Sequence, residues 1–162
     1  MRNVLNMQLP ELKLPDLSLS FARNVANGLL KVKNVLSVEL FGSIAREGHG
    51  NDLCFLLVTD SETYHKFEQQ FISFSDQLRG KGYQYSSEAI RRIAISSIWD
   101  THTPEWAEIQ AFYESDAHTD ICVFPDRWRD LWRFTSSSRA YGQDFLAMLY
   151  REARPMATRR PQ

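Results

Sequence analysis

The chain has 162 residues, 43% of them apolar, with 19 Lys and Arg set against 20 Asp and Glu. That is enough chain and enough apolar side chain for one domain with a full core. A net charge of -1 argues against a strongly basic surface, though not against a small basic patch, so long nucleic acid is disfavoured as a partner, and no apolar run approaches the ~18 residues that suggest a membrane span.

Residues 1–16 read as an extended lead-in, because Pro10 and Pro15 oppose a helix there. The segment also lacks the continuous apolar stretch of a secretory leader, so a cytoplasmic location is expected. The chain has two cysteines, Cys54 and Cys122, too few for a disulfide framework and read as small buried side chains. A single domain is expected over residues 17–153.

Phe21, Val25, Leu29 and Val32 recur at helical spacing and predict a helix over 17–33. The run "NVLSVELFG" predicts a strand, and "DLCFLLVTD" predicts a second one, buried on both faces because its apolar run is nearly continuous. Asp60 or Ser61 caps the next helix, whose Tyr64, Phe67, Phe71, Phe74 and Leu78 form a core-facing stripe. Gly80 and Gly82 end it. Another helix follows Ser87, with Ile90, Ile93, Ala94 and Ile98 as its buried side.

Beyond Pro104, "EWAEIQAFY" and "HTDICVF" predict two strands joined as a hairpin through "ESDA". "RWRDLWRF" and "SRAYGQDFLAMLYREA" predict two helices. The first would carry Trp128, Leu131 and Trp132 on one face, for the core or, less favoured, for a second copy or a partner. Residues 154–162 read as a flexible tail. The order of elements predicts an α/β or α+β sheet with helices on its faces.

The chemistry gathers in residues 38–58, "VELFGSIAREGHGNDLCFLLV". Gly42 lets the chain turn at a strand end and lets a ligand approach, Ser43 offers a hydroxyl, and Arg46 adds a cation. If "SIARE" is helical, its free N–H groups favour phosphate. Taken alone, Gly-Ser is more often a plain turn. Asp52 and Cys54 stand at i and i+2 and share a face if the strand starts at Asp52. A carboxylate beside a phosphate-ready turn suits Mg2+, which takes oxygen ligands. Asp52 as a simple strand or turn cap is the other reading. Asp120 and Cys122 repeat the i, i+2 relation on a later strand, so Asp120 is either a second carboxylate of one site or an exposed strand residue. Cys54 and Cys122, with His49 and His118, could alternatively make a soft-metal pair, but their spacing matches no zinc pattern.

"LFGSIAREGHGNDLCFLLV" resembles the signature of the DNA polymerase β-type nucleotidyltransferase superfamily, most closely its minimal nucleotidyltransferase-domain proteins. That signature is a Gly-Ser turn, a short polar loop and Asp-x-Asp running into an apolar strand. Gly42, Ser43, the Ala45-Arg46 pair and Asp52 carry the likeness over residues 36–58. It implies a nucleotidyltransferase-like mixed sheet flanked by helices, with a nucleoside triphosphate at the turn. It further implies Asp52 and a later carboxylate, best matched by Asp120, as catalytic residues holding Mg2+ for in-line nucleotidyl transfer. A homodimer or a helical partner protein is also implied. The sequence departs from the pattern at Cys54, where the second Asp would stand; a thiol is a poor Mg2+ ligand, so transfer is expected to be weakened or lost. A non-catalytic interaction or antitoxin-like module on the same fold is the alternative expectation.

Overall fold

The computed structural model describes residues 16–107, 119–131, 134 and 139–159. They form an α+β fold around a mixed four-stranded sheet. In chain order the elements are β1 (Leu17–Ser18), α1 (Leu19–Leu29), β2 (Val35–Phe41), α2 (Ser43–Glu47), β3 (His49–Gly50), β4 (Leu53–Thr59), α3 (Ser61–Gly80), α4 (Ser87–Ile98), β5 (Thr119–Pro125), α5 (Gln143–Glu152) and β6 (Arg154–Thr158). The sheet runs β5-β4-β2-β6. β4 is antiparallel to β2 and parallel to β5, and β2 is antiparallel to β6.

Local chemistry explains most boundaries. Ser18, Asp60 and Ser86 cap α1, α3 and α4, each accepting from the N–H three residues on, of Phe21, Thr63 and Ala89. β4 lies inside the sheet and buries all seven of its residues, so its apolar run needs no alternation. On α3, Tyr64, Phe67 and Phe71 are buried and Phe74 and Leu78 pack against them, as their spacing predicts. β1 pairs with β3, which ties the entry of α1 to the loop after α2. Among the described residues no helix is long and apolar enough to cross a membrane.

Four expectations need correction. The tail is no loose end over its first five residues, because β6 pairs with β2 through Ser37↔Thr158 and Leu40↔Arg154. Its proline is tolerated because β6 ends the strand order, where a missing N–H need not break a ladder. The Arg159 guanidinium then fastens the strand by donating to the carbonyls of Leu30, Val32 and Val35. Second, residues 105–107 are helical rather than extended, with the Ala107 N–H bonded to the Thr103 carbonyl; "ESDA" and His118 lie outside the described residues. Third, Trp128–Asp130 is one 3-10 turn, Trp128 is buried and Leu131 is 38% exposed, so they share no helix face; Trp132 lies outside the described residues. Fourth, the buried side of α4 is Ile90, Arg91, Ala94 and Ile95, so an arginine stands in the apolar stripe.

Candidate functional site

β2 and β4 bring the opening motif to one end of the sheet. β2 stops at Phe41, and Gly42 follows with φ 88° and ψ -160°, a backbone state open in practice only to glycine. A Cβ there would also stand 3.4 Å from the Cys54 Sγ. The five-residue α2 begins at once, and Gly48, left-handed at φ 86°, ends it. The chain then doubles back so that Gly50 lies against the Ser43 hydroxyl; a Cβ on Gly50 would overlap that oxygen. The Ser43 Oγ is buried and has no hydrogen-bond partner among the described residues. Arg46 donates to Glu152 at 2.8 Å, and this bond, with the Glu152 charge, raises its pKa.

Strand register assembles the second half of the site. Phe41 pairs with Cys54, and Cys54 pairs with Asp120, so the three stand in one row on one face of the sheet. Asp52 precedes β4 by one residue and is half-buried. Its negative charge reaches both Cys54 and Arg46. The structure thus brings Gly42, Ser43, Arg46, Asp52, Cys54 and Asp120 to one sheet end. Cys122 pairs with Leu56, one row further along the same face. Both thiols are free and buried.

Asp120 is not an exposed strand residue: only 6% of it is open to solvent. Its carboxylate accepts from the Arg91 Nη2, at 3.1 Å to Oδ2 and 3.4 Å to Oδ1. Arg91 arrives from α4, is 7% exposed, and lays its guanidinium 5.3 Å from the Tyr141 ring centre and 5.6 Å from that of Phe145. Tyr141 is itself fixed, because its hydroxyl accepts from the Val123 N–H and donates to the Val123 carbonyl on β5.

Burial works against the Arg91 charge, yet Cys122, Tyr141 and Asp120 around it outweigh burial and hold its pKa above the ordinary guanidinium value. Burial pushes Cys122 and Tyr141 well up, so both keep their protons near neutrality. Burial likewise pushes the Cys54 thiol up, and the negative charges of Asp120 and Asp52 push it further. Cys54 is therefore a neutral thiol.

This donor set does not fit Mg2+. The ion needs anionic oxygens, and the row offers a neutral sulfur at Cys54 and a carboxylate already paired with Arg91. Asp52 alone keeps the expected character. The soft-metal alternative fares no better: Cys54 and Cys122 sit on adjacent strands offset by two residues, and His49 turns to Asp16 at 3.1 Å. Among the described residues no group of three or more His, Cys, Asp or Glu side chains is arranged to hold a metal ion.

Arg91 is the residue that sequence reading missed. The available signal was a charged side chain at a stripe position, between Ile90 and the Ala94-Ile95 pair. No protein-family model, curated protein or solved structure matches this chain.

Proposed function

We propose that the chain is a nucleotidyltransferase-like domain that binds a nucleoside triphosphate at the Gly42-Ser43 turn and has weakened or lost metal-dependent nucleotidyl transfer. The observation that carries this reading is the row Phe41, Cys54, Asp120 directly beneath a glycine turn whose buried serine hydroxyl has no partner among the described residues. In this reading Gly42, Ser43 and Arg46 meet the phosphates, Asp52 and Asp120 are what remains of the catalytic carboxylates, and Cys54 marks the lost one. Loss of transfer follows from charge. In-line transfer depends on a cation between carboxylates and phosphate, and Cys54 and Asp120 supply no net negative charge once Arg91 is counted. A cytoplasmic setting agrees with two cysteines left as free buried thiols.

The test is thermal unfolding with ATP, GTP, CTP and UTP in turn, because a ligand that binds only the folded state must stabilise it. At least one nucleotide is expected to raise Tm, and none is expected to turn over briskly. Absence of any shift sinks the nucleotide reading. A second reading, a non-catalytic protein-interaction or antitoxin-like module, homodimeric or bound to a helical partner, draws on the Arg46–Glu152 bond. That bond leaves the one cation of the turn already engaged, and absence of any nucleotide shift would favour this reading.

A further inference from the structure

We propose that the cavity at the junction of α3 and α4 is a second ligand site, one that takes a flat aromatic ring carrying an anionic group. The inference goes beyond the reading of the turn and does not rest on it, because none of the residues that line the cavity belongs to residues 36–58.

The cavity holds about 430 Å3, the size of a small-molecule site. Its shape follows from how one helix ends and the next begins. α3 stops at Gly80, Gly82 turns the chain at φ 78°, and the Tyr83 N–H donates to the Leu78 carbonyl at 2.9 Å. Ser86 then caps α4 by accepting from the Ala89 N–H at 3.1 Å. The span Tyr83-Gln84-Tyr85 is therefore fixed at both ends, and all three of its residues line the cavity.

The lining sorts into three chemistries. Leu78 and the buried Ile90 give an apolar side. Tyr83 and Tyr85 give an aromatic one. Their rings meet edge to face at 6.3 Å, and at 58% and 51% exposed they are the two most exposed large apolar side chains among the described residues. An aromatic pair held open to water beside a cavity offers stacking faces to a further ring. Arg79, Gln84 and Ser75 give the polar side. Arg79 is the one charged side chain among the described residues that line the cavity, and the fork of its guanidinium matches a carboxylate or a phosphate. Glu88, in the first turn of α4, pairs with Arg92 at 3.6 Å. The Gln84 amide can both donate to and accept from the polar edge of a ring.

A cation, two exposed rings and an apolar side, with no carboxylate in the lining, select a ring that carries negative charge. A cavity of about 270 Å3 beside Trp99 and Trp106 makes the contrast: Lys31, Lys33, Asp100 and Glu105 all line it, and that mixture selects no sign of charge. Aromatic carboxylates and nucleoside monophosphates share the chemistry that the α3–α4 cavity fits.

The experiment is isothermal titration calorimetry of the wild-type protein with benzoate, phenyl phosphate, AMP and UMP. Inorganic phosphate serves as the anion without a ring, and benzyl alcohol as the ring without an anion. At least one ring-bearing anion is expected to bind with a Kd of about 1 mM or tighter, and both controls about tenfold more weakly or not at all. Arg79→Gln and Tyr85→Ala change exposed residues and should fold as wild type does. Each is expected to weaken binding of the responding probe about tenfold. Binding by none of the four probes overturns the proposal. So does a control that binds as tightly as the ring-bearing anions, or a pair of folded variants that bind as wild type does. The tightest probe names the source: a nucleotide for AMP or UMP, an aromatic acid for benzoate or phenyl phosphate. The reading of the turn fails separately. Arg79→Gln should leave intact any rise in Tm that a nucleoside triphosphate produces at the turn; a rise lost in that variant assigns the nucleotide to the cavity and removes it from the turn.

Discussion

Two carboxylate–arginine pairs stand on the same face of the sheet, and they differ in what surrounds them. Glu39 on β2 receives two hydrogen bonds from Arg129, at 2.7 and 3.1 Å, and Arg129 also donates to the Ala153 carbonyl. The Arg129 side chain is 36% exposed and lies over the Trp128 ring. That pair joins the turn after β5 to the start of β6 and acts as a staple with one side in water. Asp120 and Arg91 are both about nine-tenths buried, and the Arg91 Nε has no partner among the described residues. Arg91 spends its hydrogen bonds on the one carboxylate beside Cys54. The same two functional groups thus form a partly exposed joint in one place and a buried pair in the other. Burial, more than pairing itself, tells them apart.

Breaking the pairs one at a time should separate them most. Arg91→Met removes a buried ion-pair partner of Asp120 and is expected to cost about 3–5 kcal/mol, measured by urea denaturation. Arg129→Met exposes Glu39 to entering water and is expected to cost roughly 1.5–3 kcal/mol. Equal losses would remove the distinction. A smaller loss is expected at the turn. Gly42→Ala forces a Cβ into a glycine-only backbone state and should cost about 1–3 kcal/mol, read from the same unfolding curves; a neutral result would mean that the turn rearranges freely.

The smallest effect concerns the thiols beside Asp120. Below the ordinary thiol pKa of 9.0 the folded and unfolded states both hold the proton, and stability is complete. Above it the unfolded thiols ionise while buried Cys54 and Cys122 do not, so stability falls as pH rises. The loss is about 1.4 kcal/mol per thiol for each further pH unit. Urea midpoints taken from pH 7 to pH 10 should therefore decline only at the alkaline end, and Cys54→Ser should reduce the slope. A midpoint that rises with pH would show that a thiolate is stabilised in the fold.

The fold was readable where pattern alone decides. β4 announced itself by an apolar run that only an interior strand can bury, and α3 by its aromatic stripe and Asp60 cap. The turn was readable too, because Gly42 and Gly48 do what glycine is needed for. What stayed hidden depends on partners distant in sequence. β6 has a proline and arginines that look like a frayed end, and becomes a strand only because β2 offers it a ladder and the carbonyls around the end of α1 offer Arg159 acceptors. Arg91 reads as a solvated residue of α4 until β5 places Asp120, 29 residues away, beneath it. Periodicity sorts side chains by polarity, so it sends a buried, paired arginine to the surface.

A nucleoside triphosphate held at the Gly42-Ser43 turn without brisk turnover is what we propose for this chain. The most direct test is the Tm of the wild-type protein with ATP, GTP, CTP and UTP in turn, in Mg2+ and in EDTA. At least one nucleotide is expected to raise Tm, and none to turn over briskly. No shift with any nucleotide, or brisk turnover in Mg2+, would contradict it.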